Sequence, residues 1–100
     1  MAFTVQFEAE LWRWKGDAAW HFVTVPPEPS AEVDDRVPHR TGFGSVKVTA
    51  TLGVSTWTTS IFPADKGESF VLPVKRQVRD ANDLLAGDRV EVLLEVASDD

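Results

Sequence analysis

Lys75 and Arg79 are the residues whose types and spacing most directly suggest chemistry in this 100-residue sequence. Four positions apart in a stretch that reads as helix, they share one face just after Pro73 and can clamp a carboxylate or phosphate. Upstream, "TWTTS" sets the indole of Trp57 beside hydroxyls at Thr58, Thr59 and Ser60, a combination suited to holding a flat ligand and hydrogen-bonding its edge. Lys47 adds a third cation if the outer face of its strand meets that helix. The plainer alternatives are a solvated helix whose cations pair with Asp80 or Asp83, and threonines chosen because strands favour them. The expected ligand-binding set is Lys47, Trp57, Thr59, Ser60, Lys75 and Arg79.

Other chemistries find less support. His21 and His39 are the only histidines and have no partner at metal-ligand spacing, and the chain has no cysteine. Ser60 with Lys75 would make a nucleophile and base, but no SxxK or GxSxG pattern accompanies them. "GFG" lacks the GxxxxGK[ST] of a phosphate loop and leads into a strand instead of a helix. No catalytic residue, metal site or cofactor is therefore expected. Four indoles, Trp12, Trp14, Trp20 and Trp57, are many for this length. They either pack the core or, at Trp12 and Trp14, which alternate away from Phe7 and Leu11, offer an aromatic patch to a partner.

These side chains need a scaffold, and composition permits one. A 43% hydrophobic content supports a real core in a chain of this length. Sixteen acidic against ten basic residues give a net charge of −6, which opposes non-specific attraction to nucleic acid or anionic membranes. The first residues alternate as a strand, without the pattern of a signal peptide, and no apolar run approaches membrane-spanning length, so the expectation is a cytoplasmic protein.

Alternation of Phe3, Val5, Phe7, Ala9 and Leu11 with polar residues predicts a strand over 3–11. Lys15, Gly16 and Asp17 turn it into a partner strand over 19–25. "PPEPS" breaks the sheet, Ser30 reads as an N-cap, and a short acidic helix follows. Further strands are expected around Val46 to Leu52, in "VSTWTTSIFP", in "FVL", and at Val90, Val92, Leu94 and Val96. A second helix, "VKRQVRDANDLL", opens at Pro73 with Val74 and Val78 facing inward and stops at Gly87. One barrel domain over residues 1–97 and a disordered tail at 98–100 are expected.

The second half repeats the layout of the first at an offset of about 44 to 48 residues, matching Phe22-Val23 with Phe70-Val71 and Pro26 with Pro73. The order ββαβ-ββαβ, without long crossover helices, excludes a doubly wound sheet and predicts a mainly β fold: a pseudo-twofold, six-stranded double-split barrel capped by two short helices.

"VLPVKRQVRDANDLLAGDRVEVLLEV" resembles the swapped-hairpin signature of AbrB and MazE-type DNA-binding proteins, here with both halves in one chain. The whole chain is similar to the small bacterial family called domain of unknown function nineteen-oh-five, through "LWRWKGDAAWHFVTVP", "GFGSVKVTATLG", "STWTTSIFP", "FVLPVK" and "AGDRVEV". That resemblance implies the same double-split barrel, no established activity, and association with YdeI/OmpD-associated domains. The residues favour a non-enzymatic binding module for a small anionic or aromatic ligand or a protein partner, in a monomer or weak dimer. A DNA-binding regulator of the swapped-hairpin type and an enzyme of unknown reaction are the alternatives, discriminated by salt-dependent duplex binding and by perturbed titratable groups in a pocket.

Overall fold

The structure, a computed structural model, describes residues 2–16, 19–37 and 44–97. His39, Asp17, part of the "GFG" stretch and the tail expected at 98–100 lie outside the described residues. The chain forms β1 (Ala2–Arg13), β2 (His21–Val25), α1 (Pro27–Arg36), β3 (Val46–Leu52), β4 (Ser55–Ala64), β5 (Ser69–Pro73), α2 (Arg76–Ala81) and β6 (Arg89–Ala97). The six strands close into an antiparallel barrel in the order β1-β2-β5-β4-β3-β6.

Period-two patterning decides which side chains fill the barrel. On β6, Val90, Val92, Leu94 and Val96 are buried while Arg89, Glu91, Leu93 and Glu95 face out. They meet Phe3, Val5, Phe7 and Leu11 of β1, Val23 and Val25 of β2, Val46, Val48, Ala50 and Leu52 of β3, and Ile61, Phe70 and Leu72. Each fully buried Leu, Val or Phe contributes about 1.5–3 kcal/mol of transfer free energy, so this cluster dominates stability.

Two strands change partners along their length. Residues 2–10 of β1 pair with β6, and Leu11, Trp12 and Arg13 with β2. Likewise, residues 55–61 of β4 pair with β3, whereas Phe62, Pro63 and Ala64 pair with β5. Exchanging β1 with β4, β2 with β5 and β3 with β6 returns the same six pairings. The matched Phe-Val pairs, however, are not equivalent. Phe70 is buried in the core, but Phe22 lies beside buried Val23 and points outward, where it packs against Trp12 and Trp20. A one-residue slip moves a side chain to the other face of a strand, so residue identity misaligned the halves by one position.

Both helices depart from their expected limits. Ser30 is not an N-cap: α1 begins at Pro27, because prolines fit a first turn whose N–H groups lack partners anyway. Ser30 instead lies buried within the helix, where its Oγ donates to the Val25 carbonyl at 3.0 Å and accepts from the Phe70 N–H at 3.2 Å. It joins α1 to β2 and β5. α2 starts at Arg76, after Pro73 has paired with Phe22 as a strand residue, and it stops at Ala81. Asp83 then takes a left-handed φ of 54°, ending the helix before Leu84 and Leu85.

Asn82 anchors the end of α2. Its Oδ1 accepts from the Val54 N–H at 2.8 Å, and its Nδ2 donates to Ser55 Oγ at 3.0 Å and the Val78 carbonyl at 2.9 Å. Gly53, at φ 58°, leaves room for this contact, since a Cβ there would collide with Asn82 Oδ1. No helix among the described residues is long and apolar enough to cross a membrane.

A cationic cleft beside the open edge of β4

Side chains directly opposite each other in an antiparallel pair lie on the same face. Leu52, Ala50 and Val48 point into the barrel, so their β4 partners Ser55, Trp57 and Thr59 do too. Here the two halves diverge. The inward row of β1 reads Phe3, Val5 and Phe7, all buried, while Ser55, Trp57 and Thr59 are only half-buried. Next to β1, α1 brings Val33 and Val37 to the core and lays Arg36 over the Phe3 ring at 4.8 Å. α1 packs on β1 and β5, whereas six-residue α2 packs on no strand to that extent. The smaller, more polar Ser55 and Thr59 and a shorter helix leave space on the β4 side.

That space is a cleft of about 1170 Å³ between β4 and the segment carrying Pro73 and α2, continuing over β3 and β6. All six residues expected to bind a ligand line it: Lys47, Trp57, Thr59, Ser60, Lys75 and Arg79. They arrive by different routes. Trp57 and Thr59 belong to the inward row; Lys47 and Ser60 stand opposite each other on the outer face of β3 and β4. Lys75 occupies the N-cap position of α2, and Arg79 lies in the helix one turn on.

Charge in the cleft is one-sided. Among the described residues, Lys47, Lys75, Arg76 and Arg79 line it against the single carboxylate of Glu95. The ion pair foreseen for Lys75 or Arg79 is taken by Arg76, whose Nε lies 3.5 Å from Asp80 Oδ2 on an exposed surface. Arg79 Nε instead donates to the Val74 carbonyl at 3.3 Å, which holds the guanidinium beside its own helix. Among the described residues no carboxylate forms an ion pair with Lys47, Lys75 or Arg79.

The indoles distribute unevenly. Only Trp57 packs against the core. Trp12 donates from Nε1 to Thr24 Oγ1 at 2.9 Å and packs on Phe22 with ring centroids 5.1 Å apart. Trp20, 54% exposed, stacks on the opposite neighbour of this cluster, Phe22, at 6.1 Å and an interplanar angle of 11°. Trp14 is exposed over Gly16.

Trp20, His21, Phe62, Arg76 and Glu95 also line the cleft and were not part of the expected set. His21 Nδ1 lies 2.9 Å from the Ala19 carbonyl. What brings His21 and Trp20 here is the β2–β5 pairing, which sets Phe22 against Pro73 and lets the Val74 N–H donate to the His21 carbonyl at 2.9 Å. Nothing in the local sequence announces that pairing. Arg76 was legible in "VKRQVRD", but its direction depended on where the helix began.

A family model spans residues 7–94, covering β2, β3, β4 and β5 in full and most of β1 and β6. The chain belongs to the family described as Domain of unknown function (DUF1905). The matched stretch includes every cleft residue except those contributed by the two barrel termini, Ala2, Glu95 and Ala97. No curated protein matches this DUF1905 chain.

Proposed function

We propose that this DUF1905 chain is a non-enzymatic binding module whose cleft takes an anionic ligand with a flat or apolar part, supplied by a small molecule or by a protein partner. The supporting observation is the convergence, among the described residues, of four cations and Trp57 on one cleft with a single opposing carboxylate. The rest of the surface makes this local charge selective: at a net charge of −6 the chain repels anions generally, and attraction concentrates where the cations gather. Thr59 and Ser60 add hydroxyls able to donate to an oxyanion or accept from a ligand N–H.

Thermal-shift and tryptophan-emission titrations with benzoate, phenyl phosphate, their neutral analogues and short DNA duplexes, at low and physiological salt, test the reading. The expected result is a rise in melting temperature with the small aromatic anions at both salts, lost in Lys75→Ala/Arg79→Ala. A response to the neutral analogues alone, or one that survives the double substitution, overturns it. A response to duplex DNA alone that vanishes as salt rises replaces it with the regulator reading.

A further inference from the structure

Four consecutive residues of β4, Trp57, Thr58, Thr59 and Ser60, all line the cleft. Successive strand side chains point to opposite faces, and a cavity that runs along a strand's edge borders both of them. The pairing agrees: residues 55–61 use one edge for β3, and among the described residues the other edge has no strand partner. A second cavity of about 290 Å³ continues along the same edge, lined by Val54, Ser55, Thr56 and Trp57 on one side and Lys75, Gln77 and Val78 on the other. The two cavities share Trp57 and Lys75. Together they form a groove with a strand edge as one wall and α2 as the other.

An unpaired edge offers a row of N–H and C=O groups, and strand addition by an extended peptide is the recognition mode that uses such a row. We propose that the groove takes an extended acidic peptide segment of a protein partner, which adds as a seventh strand to the open edge of β4. Charge selects the occupant: among the described residues, Lys47, Lys75, Arg76 and Arg79 border the groove against Glu95 alone. A second copy of this chain, at −6, is disfavoured by its own charge. Residues 55–61 present an edge of about 23 Å at about 3.3 Å per residue, enough for a seven-residue segment. Alternate peptide side chains would face Trp57 and Thr59 or Lys47 and Ser60. The proposal rests on the reading of the cleft as an anion-binding site.

The test passes a pool of acetylated, amidated heptapeptides over the immobilised protein, with Asp or Glu at alternate positions and Val, Ile, Thr, Phe or Trp between. Matched pools carry Lys in place of the acids, or N-methyl groups on alternate amides. Retention of the acidic pool at least ten-fold above both matched pools is expected, with loss in Lys75→Ala/Arg79→Ala and slowed hydrogen exchange at residues 55–61 on binding. Equal retention of the N-methylated pool, or no retention, overturns strand addition. Phenyl phosphate binding that persists in that case leaves the anion site standing, so the two readings fail separately. Slowed exchange at residues 55–61 that grows with protein concentration, without peptide, assigns the edge to a second copy and also overturns the proposal.

Discussion

Ser30 shows how much one hydroxyl can connect. It is the buried polar residue at which α1, β2 and β5 meet, and its Oγ both donates to Val25 and accepts from Phe70. Ser30→Ala removes the hydroxyl that joins these elements and leaves the Phe70 N–H without this acceptor. The expected loss is about 1–3 kcal/mol, read as a lower urea midpoint with an unchanged denaturant slope. At Lys75 and Arg79 the expectation is opposite in kind. Lys75 is exposed and neither residue is in an ion pair among the described residues, so the double substitution to alanine costs no more than the Arg79–Val74 hydrogen bond, about 0.5–1.5 kcal/mol, while removing anion binding. Loss of binding in a variant that still unfolds cooperatively, with a stability loss within that limit, is the signature that separates a binding role from a structural one.

At the scale of elements, the contrast between the two helices sets the shape of the surface. α1 runs ten residues and buries Ser30 and Val33, with Val37 buried at its C-cap; α2 runs six and buries Val78, with Val74 buried just ahead of it. What holds α2 in place is the Asn82 side chain, which reaches across to the β3–β4 turn at Val54 and Ser55. Asn82→Ala is therefore expected to cost about 1–3 kcal/mol and to speed exchange of the Val78 and Arg79 amides before those of β6. If α2 and β6 lose protection together, the side chain is a global strut and not a local anchor. Gly53→Ala should reproduce part of this loss, since a Cβ at φ 58° meets Asn82 directly.

For the molecule as a whole, closure joins the ends of the chain. β6 is paired with β1 on one edge and with β3 on the other, so the last strand completes contacts begun by the first. Leu94 sits fully buried where those pairings meet. Leu94→Ala is expected to cost about 2–5 kcal/mol, with tryptophan emission and far-ultraviolet dichroism still moving in one coincident transition. Separate transitions for the two signals would show that the surroundings of the indoles, among them Trp12 on β1 and Trp57 on β4, unfold apart from the rest of the barrel.

Alternation along single strands determined much of this protein. Phe3 to Leu11, Val46 to Leu52 and Val90 to Val96 each announced an inward row, because burial on one face of a strand imposes a period of two that local sequence records directly. Turn residues placed the breaks, and counting strands against helices excluded parallel architectures in favour of the barrel. Cation spacing and an indole among hydroxyls also singled out six candidate residues, all of which line one cleft. Registers between strands decided the rest. That Phe22 faces out while Phe70 faces in, that Pro73 lies against Phe22, and that no described strand pairs the second edge of β4 along residues 55–61 all depend on which residue sits opposite which. Register is a relation between segments distant in sequence, selected by the packing of the whole barrel, so only the tertiary structure could turn scattered cations and one indole into a cleft.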